Sequence, residues 1–256
     1  MEKQKPYGTV LIKAAVILDF IAENAEVTLQ EIALGTQMTN STTLKILDTL
    51  QLIGYVKKSS QKTYTLGSKL IRYANQNLEE TDLIELTLPY LETLQEKIDE
   101  TIHLGVVSNQ EILYVNKLEA KNQTIRMSSK IGITRPLYSS AMGKAVLAEY
   151  SEAQYQDYLA QHDLLAYTPQ TITNPLKLAS ELEQVRSKQV AYDDEEMEKD
   201  IFCIGAAIKQ QGETLGAFSV SMPKYRVTPA TEAKIVQVVK ETKKLIEAAL
   251  MNSLKK

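Results

Sequence analysis

Met38-Thr39-Asn40-Ser41-Thr42-Thr43-Leu44-Lys45-Ile46-Leu47-Asp48-Thr49-Leu50-Gln51-Leu52-Ile53 carries the pattern from which the architecture of this chain follows. At about 100° per residue, Thr43, Leu44, Ile46, Leu47 and Leu50 fall on one arc of a helix. Ser41, Thr42, Lys45, Asp48 and Thr49 fall on the other. Taken alone this is an amphipathic surface helix. Its polar arc is unusual in holding short hydroxyls and one long cation, which suit close approach to phosphates and base edges. Asn40 is expected as N-cap, placing Ser41 and Thr42 where helix amides favour an anion. Gly54 is expected to stop the helix in the left-handed conformation.

The flanks give the helix a role. Upstream, Thr28-Leu29-Gln30-Glu31 is a capping box with Thr28 as N-cap and Glu31 at N3. It opens a short helix, Leu29–Leu34, that ends at Gly35. A five-residue connection, Gly35–Thr39, then leads into the second helix, which is the helix-turn-helix signature. Downstream, Tyr55-Val56 and Tyr64-Thr65-Leu66 read as short strands around a basic tip containing Lys57, Lys58 and Lys62. A basic hairpin after a recognition helix is a wing, with lysines that reach phosphate. Ser41, Thr42, Lys45 and Thr49 are therefore the candidate groove contacts, and Lys57, Lys58 and Lys62 the candidate phosphate contacts. Residues 9–23 read as a first helix capped by Thr9, with Val10, Leu11, Ala14, Ile17, Leu18 and Ile21 on its buried stripe.

Charge distribution agrees with this division. The 256 residues carry a net charge of −3. Residues 1–67 nevertheless hold seven Lys/Arg against six Asp/Glu, and the remainder holds 22 against 26. An acidic remainder limits non-specific association with nucleic acid. A single cysteine excludes an internal disulfide framework and fits a reducing, cytoplasmic setting. No apolar run approaches the roughly 18 residues of a membrane span, and no signal-peptide pattern is read at Met1–Lys5, so no membrane partner is expected.

Beyond the wing, residues 68–77 read as a linker helix, with a break at 77–81. Asp82 is expected to cap the next helix, and Pro89 to kink it or start another over 90–100. The period then switches to alternation. Strands are expected at 102–107, 112–115, 124–127, 201–209 and 215–221, the last two joined by a turn at 210–213. Helices are expected at 140–149, 151–161 and 175–188, with a long final helix from Thr228-Pro229 to about Leu250. This is an α+β domain whose sheet has one covered face. The domain boundaries are 1–67 for the winged helix-turn-helix, 68–81 for the linker helix and 82–256 for the second domain.

Four runs, in order and across nearly the whole chain, resemble the IclR family of bacterial transcriptional regulators. They are Lys13–Leu18 with Thr28–Ala33; Asn40–Leu47 through Gly54-Tyr55-Val56 to Tyr64–Gly67; Leu137–Ala148; and Ala191–Glu196 with Cys203–Ala206 and Ser219–Pro223. The resemblance implies a GAF-like effector-binding second domain, dimers that often pair into tetramers, and operator DNA as partner. It implies a small-molecule effector, a carboxylate or sugar acid, and repression of a catabolic operon as the commoner outcome. Carried over residue by residue, it places the effector at Ala141, Met142, Asp193, Cys203, Ser219 and Ser221. The residues agree in kind. Ser219 and Ser221 share a strand face, Asp193 accepts hydrogen bonds, and Ala141 and Met142 stand near a helix start.

The chain departs from the family pattern in places. Lysine stands at 13 and 45 where arginine is usual, which removes the bidentate fork. Asn40 replaces a frequent basic residue, Gln189 and Asp200 replace frequent glycines, Ala207 stands where proline is common, and Met142 narrows the expected pocket. The carboxylate-rich run 193–198 reads as a solvated loop. The rival reading is an enzyme with Cys203 as nucleophile and His103 or His162 as base. Neither histidine lies in a catalytic motif, and no phosphate loop or nucleophile elbow is present, so no cofactor, metal or catalysis is expected.

Overall fold

The computed structural model describes residues 7–74, 78–125 and 127–253. By its contacts the chain divides into two compact units, 1–78 and 79–256. The first contains α1 (Thr9–Glu23), β1 (Val27–Thr28), α2 (Leu29–Gly35), α3 (Asn40–Leu52), β2 (Val56–Lys58), β3 (Thr63–Leu66) and α4 (Lys69–Ala74). The capping box at α2 is formed: Glu31 N donates to Thr28 Oγ1 at 3.4 Å, and Thr28 N to Glu31 Oε2 at 2.8 Å. Ile17, Ile21, Ile32, Ile46, Leu47, Leu50, Val56 and Tyr64 close one core beneath the helix-turn-helix. Gly54, at φ +82°, turns the chain from α3 into the wing.

Three local expectations need correction. Thr39, not Asn40, caps α3: its extended backbone lets Oγ1 accept from Thr42 N at 3.2 Å, and Asn40 becomes the first helical residue. Gly8, not Thr9, stands at the N-cap of α1, with no side-chain cap bond. The stripe on α1 is buried only in its second half, at Ile17 and Ile21, while Val10 and Leu11 are exposed and Leu44 of α3 is partly so. The core of a unit this small covers only two turns of α1. The wing also gains a strand that sequence reading missed. β1 pairs antiparallel with β3, in the order β1-β3-β2. Helix α4 packs Tyr73 edge-on against Tyr55, with hydroxyls 3.2 Å apart.

The second unit opens with α5 (Leu78–Ile98), followed by β4 (Thr101–Ser108), β5 (Glu111–Leu118), β6 (Thr134–Pro136), α6 (Ala141–Leu147), α7 (Glu152–Gln161) and α8 (Pro175–Lys188). It ends with β7 (Ala191–Asp194), β8 (Ile201–Gln210), β9 (Glu213–Pro223) and α9 (Pro229–Ser253). Asn77 of the expected break lies outside the described residues, but Leu78–Thr81 and Asp82 are inside α5, and the helix continues through Pro89. No strand forms at Thr124, Ile125 or Met127; the third strand is β6 instead. Its Pro136 is tolerated because β6 is an edge strand. β7 takes up Asp193 and Asp194, which sequence reading left in a loop.

Among the described residues the six strands form one antiparallel, curled sheet in the order β6-β5-β4-β9-β8-β7. Contrary to expectation, both faces are covered. Ile102, Leu104, Ile204, Ile208, Phe218 and Val220 pack against Leu91 and Leu94 of α5 and Ile235, Val239 and Ile246 of α9. On the opposite face Ile112, Ala191, Ala207 and Ala217 pack against Met142 and Val146 of α6, Tyr155 and Tyr158 of α7, and Leu178 and Leu182 of α8. The small residues of the second face let α6 lie close to the strands. Gly205 makes the contact closest: a β-carbon there would stand 2.9 Å from Ala141 C and 3.0 Å from Met142 N. Gln189 and Asp200, at family glycine positions, both hold left-handed backbone, at φ 59° and 64°.

Gly205→Ala should therefore lift the start of α6 from the sheet. The expected loss is about 1–3 kcal/mol, a fall in melting temperature of several degrees by circular dichroism. An unchanged melt would show that α6 is free to shift.

Candidate functional site

The outer face of α3 is assembled by its inner one. Thr43, Ile46, Leu47 and Leu50 are buried, which leaves Ser41, Lys45, Asp48 and Thr49 exposed and Thr42 half-buried at the helix start. Thr39 Oγ1 donates to Thr42 Oγ1 at 3.0 Å, so the Thr42 proton is free to point outward. Thr49 donates back to Lys45 O at 2.9 Å and offers only lone pairs. Lys57, Lys58 and Lys62 are exposed on the wing. The Lys58 ammonium lies 5.2 Å from the Tyr64 ring centroid, and Lys62 adopts a left-handed conformation in the turn from Ser59.

In the second unit, the face that carries α6 changes character along the strands. Two residues beyond the alanines and Ile112, the same face presents Asp193 after Ala191 and Tyr114 after Ile112. Across the sheet lie Cys203, paired with Asp193 and Ser221, and His103 of β4. These residues, with Arg135 of β6, line a cavity of about 230 Å³. Ile125, Met127, Ser128, Ser129, Met197, Glu198 and Ile201 complete its walls. Lys117 Nζ fixes the segment after β5 by donating to Met127 O at 2.8 Å and Ser129 O at 2.6 Å.

Of the six expected effector contacts, Asp193, Cys203 and Ser221 line this cavity. Ala141, Met142 and Ser219 are buried outside its lining. The start of α6 sits on Gly205, and Ser219 is the cross-strand neighbour of Gly205 beneath it. Met142 sends its side chain toward Gly105 and the Ile112 cluster. The same face thus splits into a packed half under α6 and an open half beside it. Sequence reading weighed His103 only as a catalytic base, and missed Tyr114 and Arg135. The polar His103 between Ile102 and Leu104 was the available signal.

Hydrogen bonds give the cavity a direction. Ser221 Oγ donates to Cys203 Sγ at 3.1 Å, so it accepts from His103 Nδ1 at 3.2 Å. His103 Nε2 then accepts from Ser129 Oγ at 2.7 Å, which fixes the neutral tautomer. Burial, then Lys117 and Arg135, hold the His103 pKa down to about 3, so the ring is neutral at physiological pH. Burial pushes the Cys203 thiol up, with the Asp193 charge adding to it. A protonated thiol that meets His103 only through Ser221 is the opposite of an activated nucleophile.

Asp193 accepts from Glu196 N at 2.8 Å and Met197 N at 3.3 Å, yet burial outweighs these bonds and pushes it up to about 7. The following loop is not solvated at its centre. Glu196 is buried and ion-paired with the buried Lys144 of α6, while Thr168 and Thr171 donate to Glu195 O and Glu196 O, each at 2.6 Å. Among the described residues no group of three or more His, Cys, Asp or Glu is placed to hold a metal ion. None of the helices described is long and apolar enough to cross a membrane.

A winged helix-turn-helix unit and a curled-sheet unit with a polar cavity in one chain are the plan of a DNA-binding transcriptional regulator with an effector domain. Residues 10–60 match the IclR helix-turn-helix domain, and residues 75–248 match the bacterial transcriptional regulator IclR C-terminal domain. The chain belongs to the IclR family of transcriptional regulators, a non-enzymatic family. It is 32% identical over 240 residues to the transcriptional repressor IclR of Escherichia coli, covering 90% of this chain and 87% of that protein. The crystal structure of the Thermotoga maritima IclR superposes with a TM-score of 0.76 at 34% identity, covering 96% of this chain and all of that one. An IclR homologue from Microbacterium hydrocarbonoxydans, solved with 4-hydroxybenzoate, shares the fold at a TM-score of 0.77 and 21% identity, covering 94% of this chain and 98% of that one.

The raised Asp193 predicts a pH signature. The folded state holds a proton that the unfolded state releases near the ordinary aspartate pKa of 3.8. Its contribution is therefore full below about pH 4 and is lost as pH rises to about 7. Asp193→Asn keeps an acceptor for both amides and removes the titration. The variant should gain on the wild type, by on the order of 3 kcal/mol, between pH 4 and 8. Paired thermal melts across that range check it, and a constant difference would mean that Asp193 is ionised throughout.

Proposed function

We propose that this protein is a cytoplasmic homodimeric or tetrameric repressor of a catabolic operon, released from or retained on its operator by a small polar carboxylate. The observation that carries the reading is the exposed arc of α3, whose short hydroxyls and single lysine stand over a fully formed helix-turn-helix core. On this reading Ser41, Thr42, Lys45 and Thr49 face the major groove, with Ser41 and Thr42 near phosphate at the helix start. Asp48, on the same arc, is repelled by phosphate and tolerated where a cytosine or adenine amino group faces it. Lys57, Lys58 and Lys62 hold the backbone beside the groove. The effector binds at Asp193, Cys203 and Ser221, and the response requires it to bind the two arrangements of the paired DNA heads with different affinity.

Fluorescence anisotropy on the chain's own upstream DNA, against a scrambled duplex over a salt series, tests this. Binding that prefers the upstream sequence at physiological salt is expected. Lys45→Ala should weaken binding to that sequence by about 1–3 kcal/mol and to the scrambled duplex by less. Equal losses on both would reduce Lys45 to a phosphate contact.

Replacing Lys57, Lys58 and Lys62 with Ala should flatten the dependence of log affinity on log salt by roughly 0.9 for each phosphate contact removed. An unchanged slope would take the wing off the DNA.

A further inference from the structure

The cavity is lined by a residue from every strand of the sheet, including both edges. Arg135 belongs to β6 and Asp193 to β7, the first and last strands in the order β6-β5-β4-β9-β8-β7. Only the curl of the sheet brings two edge strands to one cavity. The cavity is also polarised. The described residues place no carboxylate within ion-pair distance of Arg135, whose charge acts on the buried Tyr114 hydroxyl across the cavity lining. From the opposite edge of the sheet come Asp193 of β7 and, from the loop that follows, Met197 and the exposed Glu198. Ile125, Met127 and Ile201 give apolar wall. The cavity volume of about 230 Å³ leaves room for a ligand many times the size of one water molecule.

We infer that the effector bridges the two edges of the sheet, its carboxylate on Arg135 and a hydrogen-bond donor at its far end on Asp193, with an apolar segment spanning between them. This rests on the effector-binding reading above and adds to it a residue, an orientation and a size. Arg135 is the specificity-determining cation, since guanidinium and carboxylate match as a fork. The exposed Glu198, beside Asp193 in the lining, rejects the acid end and so fixes which way round the ligand lies. The directed chain from Ser129 through His103 and Ser221 ends on Cys203, whose thiol proton stays available to an acceptor on the ligand. A ligand held at both poles ties β6 to β7. One-ended ligands leave the two edges uncoupled, so the bridge is also the means by which occupancy is felt across the sheet.

Four probes separate the parts: 4-hydroxybenzoate has both ends, benzoate lacks the donor, 4-hydroxybenzyl alcohol lacks the charge, and pyruvate is too short to span. Calorimetric titration of the full chain should give the tightest binding for 4-hydroxybenzoate, with roughly tenfold losses for benzoate and for the alcohol, in line with one charge-assisted contact each. Arg135→Gln should abolish the preference for acid over alcohol while leaving the circular-dichroism spectrum of the unliganded protein unchanged. Arg135→Lys should restore part of it. Amide exchange at residues 134–136 and 191–194 should slow together with 4-hydroxybenzoate. Equal binding of all four probes, no binding of any, or a preference that survives Arg135→Gln overturns the bridge. Operator binding by the same preparation reports separately on the regulator reading. Pyruvate binding that is indifferent to Arg135 would keep an effector site and remove only the bridge.

Discussion

The second unit depends on how closely α6 can approach the sheet. Gly205 allows the helix start to rest on the strand backbone, and Ala191, Ala207 and Ala217 keep the rest of that face low. Where α6 covers the face, the sheet is a dry core. Where it stops, the same strand positions turn polar and open into the cavity. The buried Lys144–Glu196 pair ties α6 to the loop after β7, so the seat of the helix also sets the position of Asp193. Such a pair gives modest net stability, since desolvation offsets most of its attraction, but removing one partner would leave a buried charge. Its effect is on geometry more than on stability.

The opposite face makes the sheet rigid enough to hold a site. β4, β8 and β9 are buried on both sides, and their alternate residues serve two cores. One set packs under α5 and α9. The other packs under α6 to α8 or lines the cavity. A cavity backed by a packed core positions its polar groups without cost at the moment of binding. The His103–Ser221–Cys203 chain, the neutral imidazole and the protonated thiol all follow from low polarity around the site. Burial favours the uncharged form of His103, Cys203 and Asp193, which leaves Arg135 and the exposed Glu198 as the charged groups of the lining.

Local chemistry explains which elements could be read from the sequence. The capping box at Thr28, the left-handed Gly54 and the apolar period of α3 are short-range patterns, and each holds in the fold. The errors were local competitions won by neighbours. Thr39 displaced Asn40 as cap because it precedes the helix with an extended backbone. The strand expected at 124–127 was displaced to 134–136, where an edge position tolerates Pro136. Asp193, Cys203 and Ser221 reached the list of site residues through family resemblance. Nothing in their own neighbourhoods distinguishes a cavity-lining serine from an ordinary strand serine such as Ser219.

By itself the sequence determined the helix-turn-helix, its wing, the long terminal helix and the α+β character of the second unit. Periodicity, caps and turn residues act over fewer than ten neighbours and need no tertiary partner to be recognised. Tertiary structure decided which strands are neighbours, and with them the cavity. β4 lies beside β9, and the curl of the sheet turns β6 and β7 toward one space, so residues 103, 114 and 135 meet 193, 203 and 221 across 58 to 118 positions of chain. Strand order is set by which faces must be buried together. No local window contains that information.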